Sequence, residues 1–204
     1  MPGTTHEANG RRTVVDRRTA LLEAAIAEIA KRGTRGLRVE HVAEAAEVSV
    51  ALIYHYFGDR ATLLQSALEH IGERADRYTS RSAGTTARAT LTATLLEEIQ
   101  ESAEVRTNSA AWGELRDTAI FDPRLRPTLT ALTQRWVDDI AALVRMGQAD
   151  GSVPASIAAE QTAVRLTALV EGISGRWLTG LLRTDEARGH VAAGIDALLD
   201  ASGG

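Results

Sequence analysis

Tyr54, His55, Tyr56 and Phe57 place four rings in a row between the polar breaks "EVS" and "GD". Three of the chain's eight Phe, Trp and Tyr residues fall within those four positions. Phenol hydroxyls, imidazole nitrogens and flat ring faces can hydrogen-bond or stack on a polar partner. Arg38 and Arg60 flank the group with guanidiniums suited to charge-assisted bonds to phosphate. Small Val50 and Ala51 beside them permit close approach to base edges and thymine methyls. This is contact chemistry. Nothing comparable points to catalysis, because no G-x-S-x-G, H-E-x-x-H, Walker or G-x-G-x-x-G pattern occurs. The five His show no metal-ligand spacing, and there is no Cys. Neither a metal nor a cofactor is expected. Asp138 and Asp139 are adjacent, hence splayed by about 100° on a helix, which disfavours a shared acid/base role. An enzyme working through scattered residues and a purely helical scaffold are the alternatives. The scaffold leaves Tyr54, His55 and Tyr56 without a task.

The elements that must hold these rings follow from periodicity. Leu21, Leu22, Ala25, Ile26 and Ile29 form one helical stripe that closes on Lys31, Arg32 and a glycine stop at Gly33. Val39, Val42, Ala43 and Ala46 mark a second, shorter helix. Ser49 is a natural N-cap for a third, in which Ile53 and Phe57 share the inward face. That leaves Val50, Ala51, Tyr54 and His55 outward. Asp59 caps a longer helix carrying Leu64, Leu68 and Ile71. A helix, a tight turn and a short second helix is the arrangement that presents the second helix to a DNA major groove.

Beyond "SRSAGTT" every strong pattern is again helical, with stripes at Leu91/Leu95/Ile99, Leu129/Leu132/Trp136/Ile140 and Val191/Ile195/Leu198. No period-two alternation or internal repeat appears. The fold class is all-α: a three-helix DNA-binding domain over 16 to 60, preceded by a flexible basic arm at 1 to 15 and followed by a larger helical bundle over 61 to 204. The net charge of -4 hides a local asymmetry, since residues 11 to 60 carry nine Lys/Arg against seven Asp/Glu. Arg11, Arg12, Arg17 and Arg18 cluster there, within reach of phosphates. With no apolar leader and no 18-residue apolar tract, the reading is a cytoplasmic protein without membrane contact.

"VAEAAEVSVALIYHYFGDRATLL" resembles the DNA-binding segment of the TetR family of transcriptional regulators. The common form runs I-A-x-x-A-G-V-S-x-G-x-[LI]-Y-x-[YH]-F-x-x-[KR]-x-x-L. Val42, Ala43, Ala46, Val48, Ser49, Ile53, Tyr54, Tyr56, Phe57, Arg60 and Leu63 match it in register. "DGSVPASIAAEQTAVRLTALVEGISGRWL" is similar to the branch that includes choline-responsive repressors. The resemblance implies a ligand-responsive regulator, usually a repressor, that binds a palindromic double-stranded DNA operator as a homodimer. With the outward positions and flanking guanidiniums above, the expected DNA contacts are Arg38, Ser49, Val50, Ala51, Tyr54, His55, Tyr56 and Arg60. Two departures stand out. Glu47 occupies the turn position that is usually glycine, at a cost of about 1 kcal/mol if its φ is positive. Leu37-Arg38 replaces a common Thr pair.

The resemblance also implies an effector pocket in the second region. Trp112, Leu115, Phe121, Trp136 and Trp177 are bulky groups on separate helices that either line it or pack the core. Glu114 and Asp117 beside Trp112 would suit a cationic effector through cation–π attraction; an apolar effector is the other option. The helix over 156 to 183 is apolar around most of its circumference and calls for cover by a partner chain. Leu169, Ile173 and Leu181, with Ile195 and Leu198 of the last helix, are the expected dimer contacts.

Overall fold

The computed structural model describes residues 5 to 79 and 83 to 200, and every regular element among them is an α-helix. In chain order these are α1 (Thr5–Gly36), α2 (Val39–Ala45), α3 (Val50–Phe57), α4 (Arg60–Thr79), α5 (Ala87–Leu96), α6 (Ala103–Thr118), α7 (Arg126–Asp150), α8 (Ala159–Leu178) and α9 (Thr184–Leu199). From Thr5 the backbone belongs to α1; the side chains of Arg11 and Arg12 lie outside the described residues.

The glycine stop works as a break rather than an end. Gly33 has φ 70° and ψ 167° inside α1, and the chain resumes one more turn to Gly36 before α2. Only glycine adopts such a backbone without strain. Ser49 caps α3 by accepting the Leu52 amide, and Asp59 caps α4 by accepting the Thr62 amide at 2.7 Å. The turn between α2 and α3 keeps its left-handed residue even without glycine: Glu47 has φ 54°.

Two apolar clusters form the interior. The first joins Leu21, Ile26 and Ile29 of α1 to Val42, Ile53 and Phe57 of α2 and α3, and continues through Leu64, Leu68 and Ile71 of α4. It also takes in Ala111 and Leu115 of α6. The second is built from α5, α7, α8 and α9 around Leu95, Ile140, Val144, Leu166 and Val191. The short α3 therefore cannot fold by its own propensity; burial of Ile53 and Phe57 against the first cluster holds it.

Candidate functional site

The third helix presents its rings as its periodicity requires. Ile53 and Phe57 are buried, while Ala51, Tyr54 and His55 are exposed. Tyr54 is 46% exposed, a high value for a large ring with packing available nearby. Arg38, at the N-cap of α2, is exposed beside them and makes no capping bond. Val50 and Tyr56 are half-buried against the first cluster, and Tyr56 meets His55 edge-to-face at 5.6 Å between centroids. Both thus serve packing as well as any contact. Arg60, expected at phosphate, also binds within the chain: its Nε donates to the Leu37 carbonyl at 3.3 Å and its Nη2 to the Thr34 carbonyl. Those donors are already used in bracing the α1–α2 junction. Arg18 similarly folds back, bonding Ser66 at 3.1 Å and covering the Phe57 ring.

A cavity of about 160 Å³ opens between α4, α5, α6, α7 and α8. Trp112 and Trp136 line it, as expected, with Tyr78, Leu143 and Leu178. The other three expected wall residues do not. Leu115 is fully buried in the first cluster. Phe121 sits on the α6–α7 turn, 78% exposed and away from the cavity. Trp177 belongs to the second cluster, where its Nε1 donates to Thr184 at 2.8 Å and the Arg106 guanidinium lies 4.6 Å above its ring.

The charged lining is mostly acidic. Glu98 and Glu171 stand in the interior, Asp76 and Asp139 at the more exposed rim. The Tyr78 hydroxyl donates to Glu98 at 2.8 Å, and the Trp112 indole donates to Glu171 at 2.9 Å. Arg135 pairs with Asp76 at 2.8 Å, and Arg116 lies 3.7 Å from Glu171. Four carboxylates therefore face two guanidiniums, and Glu98 has no cation beside it among the described contacts. Burial pushes the Glu98 carboxyl up to about 7; the Tyr78 bond opposes the rise and nearby Asp76 adds to it. Burial, followed by the Glu98 charge, raises the Tyr78 phenol. Asp139 is also raised, by burial and then by Asp76, against the opposing charge of Arg135.

Glu98, Glu171 and Tyr78 were not among the expected site residues. Glu171 had a usable signal: it is a lone carboxylate between Val170 and Gly172 in a helix otherwise apolar or small on that side. Glu98 had none, because it lies in the run "EEIQE" and looks like one more solvated acid. Glu114, expected beside a cationic ligand, instead turns away from the cavity and bonds Thr34 in α1.

Four of the five residues expected at a dimer interface also pack within this chain. Ile173 and Ile195 are buried in the chain's own second cluster, and Leu169 and Leu198 pack against it. Only Leu181 is exposed. The outward faces of α8 and α9 carry instead Val164, Ala168 and Gly172, and Gly189, Ala193 and Ala197.

A helix-turn-helix surface joined to a partly open interior cavity is the architecture of a DNA-binding regulator that responds to a ligand. The profile of the bacterial regulatory proteins of the tetR family matches residues 21–67, and that of the BetI-type transcriptional repressor C-terminal region matches residues 87–200. The chain belongs to the TetR family of transcriptional regulators, with a BetI-type second region, and it is no enzyme. The HTH-type transcriptional regulator BetI of Burkholderia thailandensis is 30% identical over 173 residues, covering 81% of this chain and 82% of that one. A TetR-family transcriptional regulator from Rhodococcus sp. has a similar crystal structure, with 46% identity, TM-score 0.85, and coverage of 91% and 99% of the two chains. The crystal structure of a transcriptional regulator from Saccharomonospora viridis in complex with choline is also similar, with 27% identity, TM-score 0.79, and coverage of 90% and 96%.

Proposed function

We propose that the protein is a cytoplasmic repressor that grips a palindromic operator as a homodimer and lets go when a small organic cation enters the cavity. Residues 1 to 60 supply the DNA contacts, through Arg38, Ser49, Val50, Ala51, Tyr54, His55 and Tyr56. The observation that carries the effector class is the lining: four carboxylates and only two guanidiniums around Trp112 and Trp136. A cation replaces the missing counter-charge of Glu98, and two indole faces add cation–π attraction of up to about 2 kcal/mol each when desolvated. The choline found in the similar Saccharomonospora viridis regulator supports the same class. An apolar effector would leave Glu98 and Glu171 desolvated with nothing gained.

Two copies of α3, about 34–36 Å apart, are needed to read half-sites on one DNA face. The small-residue faces of α8 and α9 suit close packing of two copies into a four-helix interface. Effector binding then weakens DNA affinity only by as much as it prefers the conformation with the wrong half-site spacing.

Titration calorimetry with choline and tetramethylammonium, beside an uncharged isostere, tests the effector reading. Saturable binding of the cations alone, with release of a selected DNA duplex, is expected. Equal binding of the uncharged isostere would overturn it.

A further inference from the structure

Helix α6 has two faces with different duties. Asn108, Ser109, Trp112, Gly113 and Arg116 line the cavity. Glu114, between them in sequence, points the other way. Its Oε1 accepts the Thr34 amide at 2.8 Å and the Thr34 hydroxyl at 3.0 Å. Thr118, one turn on, places its hydroxyl 2.7 Å from that of Thr34. Thr34 is buried, so these bonds form away from competing water.

The partner of Glu114 is the break in α1. Gly33 turns the backbone there to φ 70°, and a Cβ at Gly33 would lie 2.9 Å from Glu114 Oε1. The missing side chain is thus what lets the carboxylate reach the amide. Beyond the break, the Thr34 and Leu37 carbonyls accept the Arg60 guanidinium at the start of α4. The whole junction leading into α2 and α3 is held from one side by α6 and from the other by α4.

We propose that Glu114 is a positioning residue: it clamps the broken end of α1 to the helix that walls the cavity, so that the orientation of α2 and α3 follows that of α6. On the cavity side the corresponding grip is Glu171, which accepts Trp112 and faces Arg116. A ligand that competes for Glu171 loosens α6 from α8, and the Glu114 clamp carries the shift across. The inference rests on the proposed reading of the cavity and of α3, but its test need not use either ligand.

The test is a double-mutant cycle on the full chain with Glu114→Ala, Glu171→Ala and the double variant, read by hydrogen exchange. Peptides over 33 to 46 report the junction and α2; peptides from α4 and α9 serve as references. Glu114→Ala should speed exchange in 33 to 46 by about tenfold with the references unchanged. Glu171→Ala should also change exchange in 33 to 46, and should add nothing further once Glu114 is Ala. A structural brace with no coupling predicts additive effects, and additivity overturns the proposal. So does wild-type exchange over 33 to 46 in Glu114→Ala. If Glu114→Ala loses protection everywhere, the same cycle is run with Glu114→Gln, whose amide oxygen still accepts from Thr34 and which should show a smaller local acceleration. In parallel, Glu114→Ala should weaken binding to a duplex that the wild type selects from a random pool by at least about tenfold; unchanged affinity counts against the clamp. If the wild type selects no duplex, the reading of α3 fails while the exchange cycle still decides the clamp.

Discussion

The outer face of α3 and the cavity between α4 and α8 both combine aromatic rings with polar groups, yet they use them oppositely. On α3 the rings of Tyr54 and His55 stand in water, and no buried charge accompanies them. Their partner must bring its own desolvation, and the helix gives up little by waiting. In the cavity, Trp112, Trp136 and Tyr78 surround carboxylates that the fold has already withdrawn from water, raising Glu98 to about 7. There the protein is destabilised until a partner arrives. One surface is tuned for reversible scanning, the other for selective capture.

If that division is right, perturbations of one surface should leave the other intact. The largest effect should come from neither, but from the pairing of two copies: Ala168→Glu with Ala193→Glu should yield a monomer in analytical ultracentrifugation. Its DNA affinity should fall by about 10²–10⁴-fold through loss of avidity, with the cation affinity of each chain retained. Tyr54→Ala comes next, with an expected loss of about 10–100-fold in DNA affinity by gel shift and no change in calorimetric cation binding. Conversely, Trp136→Ala should weaken cation binding by about tenfold or more and leave DNA affinity without effector within about twofold. Loss of both activities in either single variant would break the comparison.

Proton linkage sharpens it further. Glu98 is raised from 4.5 to about 7, so the empty fold loses stability as pH climbs from below 4.5 to about 7. Over that range the unfolded chain releases its Glu98 proton while the folded one retains it. A bound cation favours the carboxylate, so cation affinity should rise between pH 6 and 8, by up to about tenfold, with proton release visible as a buffer-dependent heat. Glu98→Gln should abolish the pH dependence. The smallest effect belongs to the turn: Glu47→Gly relieves φ 54° and should stabilise the protein by about 0.5–1 kcal/mol in thermal melts, without altering cation binding.

The two surfaces also differ in how far the sequence discloses them. α3 is contiguous: Ser49, Ile53, Tyr54, Phe57 and Asp59 lie within eleven positions, and capping and periodicity settle which of them point outward. The cavity is assembled from five helices between Ile71 and Leu178. Periodicity says which face of each helix is apolar but not which helix it meets. Trp136 shares the Leu129/Leu132/Ile140 stripe, which argues for core, and yet lines the cavity; Trp177 shares a similar stripe and is core. The difference is decided by which neighbour each meets, and no local pattern encodes that. Arg60 is ambiguous in the sequence for a related reason, since a conspicuous cation near a reading helix can equally be a brace, and its bonds to the Thr34 and Leu37 carbonyls have no local signature.

The raised carboxyl of Glu98 has one more consequence, on the scale of the cell rather than the binding site. A regulator strained when empty and relieved when filled unfolds less often with its effector bound, and proteases act on what unfolds. On the proposed reading, the form that has released its operator is the longer-lived one. Effector exposure would then leave behind a larger stock of protein, so that repression returns faster once the effector is gone.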